Sequence, residues 1–275
     1  MLIIGLTGGL ATGKSTVSSI LSSPPHNLPI IDADVLARKV VEPGTSGYDA
    51  IVRHFGPTTP DLLVPASAGT MPEAGPDGKG RPLNRPALGR RVFGDSPDAR
   101  GGRAALNAIV HPAVRREAYA ALLRAYLRGS WAVVWDVPLL FEVGIDRLCG
   151  TVVVVAVSDP SVQMRRLRAR DPHLSAEDAE NRVRSQMDVR LKARRCEARG
   201  KGRGVVVLND GDKEELRRQV EMALGRIREG SPWWWSTALW VCPPLAVVVG
   251  VWNLAVNWRV GKRWEREEAI EKAKL

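Results

Sequence analysis

The chain holds 275 residues, 44% hydrophobic and 25% charged, with glycine and proline gathered into a few stretches; that suffices for one large α/β domain with additions and excludes a chain disordered throughout. The formal net charge is +10, which suits handling of polyanions, but the arginines are spread over several predicted helices and form no recognisable nucleic-acid module, so no nucleic-acid partner is expected. The three cysteines, Cys149, Cys196 and Cys242, fit neither a zinc site nor a disulfide framework and point to a reducing compartment.

In chain order, Leu2–Leu6 is a short apolar run with no basic region before it and no cleavage site after it. It is read as a buried first strand rather than a signal peptide. Glycines follow, then a helix start at Lys14. Pro29–Asp32 is predicted as a second strand, with a helix from Asp34 to about Val41. Trp131–Val137, Thr151–Val157 and Val205–Leu208 are β-branched runs suited to strands covered on both faces. Helical patterns fall at about 86–94, 98–127, 160–170, 175–195 and 212–229, and His111-Pro112 reads as a helix-start pair. This alternation predicts a doubly wound α/β fold with five parallel strands. Gly56–Pro86, rich in Pro, Gly, Ser and Thr, is expected to be a long mobile loop. Gly200–Gly204 is a small basic turn before the last strand.

The end of the chain differs. Trp233–Trp258 carries no charged residue over 26 positions, and seven of the nine tryptophans lie between Trp233 and Trp264. As one helix it spans roughly 39 Å at 1.5 Å per residue, more than the roughly 30 Å of a bilayer core. Tryptophans at both ends suit membrane interfaces. A single-pass C-terminal transmembrane helix at 233–258 is therefore expected, followed by a charged tail at 259–275. A buried core helix is one alternative; Pro243 and Pro244 should kink the segment, which leaves a bent or interfacial one as another.

Gly8-Gly9-Leu10-Ala11-Thr12-Gly13-Lys14-Ser15 fits G-x-x-x-x-G-K-[ST] between a strand and a helix. Backbone N–H groups of such a loop wrap phosphates, and the helix N-terminus adds positive potential. Lys14 is placed to reach the β- and γ-phosphates of ATP, Ser15 to ligate Mg²⁺, and Thr16 to touch the α-phosphate. GTPase base-reading motifs are not found, and the late arginines favour a small kinase.

Asp32 and Asp34 end the second strand, at the sheet edge where ligands of such folds bind. Either can help hold Mg²⁺ or take the proton of an acceptor hydroxyl; either can equally cap the following helix. Asp34 is preferred as base and Asp32 as metal ligand. Asp136 follows an apolar strand, as a Mg²⁺-holding carboxylate does, or serves as a turn residue before Pro138. Arg166 and Arg170 share one helix face. They are read as arginines that close over ATP, the alternative being a solvated basic face.

Further residues join these in order. They are Gly5-Leu6-Thr7, Ala33 and Val35-Leu36-Ala37-Arg38, Val41-Glu42-Pro43-Gly44, Arg85 to Phe93, and Asp136-Val137-Pro138-Leu139-Leu140-Phe141-Glu142. Gln163, Asp171, Arg182 to Met187 and Asn209 complete the set. Together, over residues 1–229, they resemble the dephospho-coenzyme A kinase family. The resemblance implies a nucleoside-kinase-like P-loop core with a helical CoA-binding insertion at about 43–128 and a lid at about 163–200. It implies transfer of the ATP γ-phosphate to the ribose 3′-hydroxyl of dephospho-CoA, with Asn209 near the nucleotide. Against the family pattern, Gly56–Pro86 is long and Arg190–Arg203 unusually basic. The C-terminal membrane segment is also extra, which implies a eukaryotic protein on the endoplasmic reticulum or mitochondrial outer membrane. Its kinase domain would face the cytosol as a monomer or weak oligomer. Another small-molecule kinase, or a membrane-tethered ATP-binding scaffold without catalysis, are the competing readings.

Overall fold

A computed structural model describes residues 1–67, 71–230 and 232–273. The chain divides into two compact units, one of Met1–Ile31 with Leu122–Leu275 and one of Asp32–Ala121. The elements are β1 (Leu2–Gly8), α1 (Lys14–Ser22), β2 (Ile30–Asp32), α2 (Ala33–Lys39), α3 (Ser46–Phe55), α4 (Arg85–Val92), α5 (Pro97–Leu127) and β3 (Ala132–Asp136). They continue with β4 (Thr151–Ala156), α6 (Pro160–Arg170), α7 (Ala176–Arg184), α8 (Val189–Glu197), β5 (Gly204–Leu208), α9 (Lys213–Glu229), α10 (Trp235–Val241) and α11 (Pro243–Lys272).

The predicted sheet forms with order β2-β3-β1-β4-β5. Strand β1 pairs in parallel with β3 and β4, and β4 with β5, placing Leu2 beside Ala132, Ile4 beside Thr151 and Val152 beside Gly204. Strands β3 and β4 are buried along their whole length, as unbroken Val-rich runs require when both faces are covered. On one face Ile4, Leu6, Val134, Val153 and Val155 pack with Val17 and Leu21 of α1 and Leu216, Val220 and Leu224 of α9. The other face takes α8 and the 3₁₀ turn Ile145–Leu148. There Gly5 is required by close approach: a Cβ would sit 2.7 Å from the Cys149 Sγ.

In the second unit, Ile51 and Phe55 of α3, Leu62 and Val92 form a small core, joined by Leu83, Leu88, Leu106 and Ile109. The 56–86 segment is irregular, yet its described residues are tied down. Leu63 bridges Leu83, Ser67 bridges Met71, Asn84 N–H donates to the Leu62 carbonyl at 2.7 Å, and the Tyr48 hydroxyl donates to the Arg81 carbonyl at 2.7 Å.

Four expectations are corrected. Helix α3 was not read from the sequence, although Thr45 caps it by accepting from Tyr48 N–H. The 175–195 helix is two: α7 ends at Arg184, and Asp188 starts α8 by accepting from the Arg190 and Leu191 N–H groups. His111-Pro112 opens no helix but lies inside α5. The single transmembrane helix at 233–258 does not form. The chain bends by 117° between α10 and α11, and among the described residues no single helix is long and apolar enough to cross a membrane. Pro243, which cannot donate to the preceding turn, starts the second arm.

Candidate active site

The loop between β1 and α1 is held in shape by two side chains from distant elements and one of its own. Gly13 sits at φ +95°, the left-handed region open to glycine, and a Cβ there would meet the Asn209 Nδ2 at 2.2 Å. Asn209 Nδ2 donates to the Thr12 carbonyl at 2.9 Å, Gln163 Nε2 donates to the Leu10 carbonyl at 2.8 Å, and Thr12 Oγ1 turns back to the Gly9 carbonyl at 2.9 Å. Arg166 in turn donates to the Asn209 carbonyl at 2.8 Å. Asn209 and Arg166, predicted beside the nucleotide, are therefore placed as supports of the loop from Gly8 to Gly13. No acidic residue occupies the first turn of α1, and Gly13 offers no side-chain cap. The helix N-terminus with its Lys14, Ser15 and Thr16 thus keeps its positive character.

The Lys14 ammonium pairs with Asp136, whose side chain is 1% exposed at the end of β3. Adjacent parallel strands β1 and β3 create this meeting, since each delivers its functional residue at the same sheet edge. The chain just past Asp136 is anchored by a residue the sequence reading passed over. Lys192 of α8 is fully buried, donating to the Pro138 carbonyl at 2.7 Å and pairing with Glu142 at 3.0 Å. The Pro138 carbonyl also accepts from Thr7 Oγ1 at 2.9 Å, and Glu142 accepts from Met187 N–H at 3.2 Å. Burial pushes the Lys192 ammonium below the usual lysine range, and the Glu142 carboxylate opposes that shift. A signal for it existed: Val189, Lys192 and Cys196 are the buried positions of α8, spaced as one helix stripe.

Arg170 pairs with Asp171 at 3.0 Å, and Arg182 lies 3.8 Å from the same carboxylate. These arginines form a surface cluster in the predicted lid, apart from the Arg166–Asn209 contact. In the second unit, Asp32 is the N-cap of α2, its Oδ1 accepting from Asp34 N–H at 2.8 Å and Val35 N–H at 3.0 Å. The neighbouring Asp34 is exposed in the first helical turn. A cleft of 660 Å³ in the same unit is lined by Lys39, Gly44, Thr45, Pro112, Arg116 and others.

Among the described residues, no group of three or more His, Cys, Asp or Glu side chains is arranged to hold a metal. A cation caged by protein alone is thereby ill served. Mg²⁺, however, retains water and phosphate oxygens and takes one or two protein oxygens. The donor set of Asp136 carboxylate and Ser15 hydroxyl fits an ion that arrives with nucleotide phosphates. Asp32, with one oxygen engaged in capping, is the weaker member of the predicted metal set.

A dephospho-CoA kinase family profile matches residues 2–215. Dephospho-CoA kinase CAB5 of Saccharomyces cerevisiae is 40% identical over 248 residues, covering 90% of this chain and 90% of that protein. The dephospho-CoA kinase of Arabidopsis thaliana is 36% identical over 233 residues, covering 85% and 87%. Among solved structures, TT1252 from Thermus thermophilus aligns with a TM-score of 0.60 at 31% identity, covering 82% of this chain and 97% of that one. The P-loop, its supports and these likenesses agree, and the chain belongs to the dephospho-CoA kinase family.

Proposed function

We propose that this protein transfers the γ-phosphoryl group of ATP to the ribose 3′-hydroxyl of dephospho-CoA, releasing ADP and coenzyme A, the final step of CoA biosynthesis. The observation that carries the reading is the Lys14–Asp136 pair beneath a braced phosphate loop. The loop N–H groups from Gly9 to Gly13 hold the phosphates. Lys14 offsets charge on the β- and γ-phosphates as the bond from the γ-phosphorus to the bridging oxygen breaks and the bond to the 3′-oxygen forms. Asp34 orients the 3′-hydroxyl and accepts its proton. Catalysis then rests mainly on positioning and charge stabilisation. Ser15 and Asp136, with Asp32 as a further candidate, would hold Mg²⁺, which when bound neutralises phosphate charge. Arg166 and Arg170 belong to a lid over 163–200, and the insertion at about 43–128 carries the CoA-binding surface, its cleft flanked by Lys39 and Arg116.

The same reading puts the enzyme on a membrane, the endoplasmic reticulum or mitochondrial outer membrane, with the kinase units in the cytosol. The support is the charge-free, tryptophan-rich stretch 233–258.

The test is ADP release by the full chain with Mg-ATP, with and without dephospho-CoA. Turnover is expected only with dephospho-CoA and falls by about 10³-fold or more in Lys14→Ala and Asp34→Asn. Turnover on another alcohol alone would reassign the acceptor. ATP binding without turnover on any acceptor would make the protein a scaffold.

A further inference from the structure

Helix α11 meets its own unit through a polar seam, with Val249, Val256, Val260 and Trp264 half-buried beside it, and turns a second set of apolar residues outward. Asn257 is 1% exposed. Its Nδ2 donates to the Arg147 and Cys149 carbonyls at 3.0 and 2.9 Å, and its Oδ1 accepts from Arg199 and Arg203 at 3.1 and 3.2 Å. One turn earlier, Asn253 Oδ1 accepts from Arg203 at 3.2 Å. The seam continues with Arg147–Glu265 and Arg194–Glu271. On the other side of the helix, Val247, Val248, Val251, Trp252, Leu254 and Trp258 are each 41% to 65% exposed. Trp233, Trp234, Trp240 and Val241 add exposed surface around the short arm α10.

A helix laid on a water-soluble core normally buries its apolar stripe and shows water its polar one. Here a polar seam is buried while a long apolar stripe stays exposed, and an apolar surface of this extent marks a docking site. Two features name the occupant. Tryptophan is the side chain of the membrane–water boundary. Immediately after Trp258, Arg259, Lys262, Arg263 and Arg266 are all exposed, so the apolar stripe runs into a cationic one. A second copy of this chain is a poor fit, because two chains of net charge +10 repel. The 117° bend further denies the segment a straight path through a bilayer.

We propose that α10 and α11 seat this protein in the surface of an anionic bilayer without crossing it. The tryptophans and valines enter the headgroup layer and the upper acyl chains, while Arg259, Lys262 and Arg263 meet lipid phosphates and carboxylates. This rests on the membrane reading above and gives it a lipid class and a geometry.

The test is flotation of the full chain with vesicles of phosphatidylcholine alone or with about 30 mol % phosphatidylserine, at about 0.1 M and about 1 M salt. Binding is expected with phosphatidylserine only, and release is expected at high salt. The triple variant Arg259→Glu, Lys262→Glu, Arg263→Glu should weaken it about a hundredfold. Val251→Glu with Trp252→Glu should abolish flotation while melting temperature and kinase turnover stay as in the parent, since both positions face outward. Flotation on both vesicle types that resists salt and alkaline carbonate would overturn the interfacial geometry and leave a spanning anchor. Absence of flotation on any vesicle would overturn the membrane reading itself. Concentration-dependent dimerisation lost in the Val251, Trp252 variant would replace the bilayer by a second copy.

Discussion

At the scale of single residues, the roles of Asp32 and Asp34, two positions apart, can be separated by a conservative exchange. Asp32 caps α2 through Oδ1, and asparagine caps as well as aspartate. Asp32→Asn should keep stability within about 0.5 kcal/mol, and Asp32→Ala should lose about 1 kcal/mol. A large loss of turnover in the asparagine variant, read as kcat at saturating Mg-ATP, would show that the charge itself serves the reaction. Lys192 poses the opposite problem. Lys192→Met keeps the bulk but leaves the Pro138 carbonyl and Glu142 without their buried donor. Unfolding in urea should register a loss of about 1–3 kcal/mol, with kcat falling more than the KM for ATP because the segment after Asp136 loosens. The glycine loop and the place of Asp136 at a strand end were legible because glycine spacing and strand ends are local signals. Lys192 was not noticed because it stands among Arg190, Arg194 and Arg195, a run that reads as a solvated face until α8 is packed on the sheet.

At the scale of elements, strands were readable and joints were not. The Val-rich runs predicted β3 and β4 within a residue or two, since full burial leaves no alternation to misread. The α7–α8 break rests on one capping aspartate inside a continuous helical pattern, and α3 is a short helix beside a Pro-Gly pair that reads as loop. The α11 docking face was beyond reach: Asn257 bonds Arg199, 58 residues away, and no local periodicity announces that. Asn257→Leu is the matching prediction. It removes one acceptor shared by Arg199 and Arg203 and the amide donor of the Arg147 and Cys149 carbonyls, and should lower stability by about 1–3 kcal/mol, measured by chemical denaturation of the full chain. Kinase turnover per folded molecule should be unchanged, because the network lies around the 145–149 turn rather than at the phosphate loop.

For the whole molecule, thiol chemistry reports on packing. Cys149 and Cys196 are buried and Cys242 is exposed. Burial pushes the thiols of Cys149 and Cys196 up to about 12, so at neutral pH they hold their protons as well as being out of reach. A small disulfide reagent at pH 7.5 should therefore modify one thiol per native chain, lost in Cys242→Ser, and three in denaturant. Fast reaction of a second thiol would mean that the layer containing α8 and α11 opens readily. Vesicles of the anionic lipid should slow labelling of Cys242, which sits at the bend.

The strand order has a consequence for how the chain is made. The central strand is synthesised before both of its neighbours, since Leu2 pairs with Ala132 and Ile4 with Thr151. At about 5–20 residues per second, β1 emerges from the ribosome on the order of ten seconds before either neighbour exists. Over that interval Asp32–Ala121, which follows β1 and α1, can settle around its own small core while the phosphate loop lacks its distant braces. Asn209, the side chain that fixes Gly13, arrives later still. The nucleotide site is thus begun well before it is completed, and a nascent chain that stops short of Asn209 should bind no ATP, however intact its glycine motif.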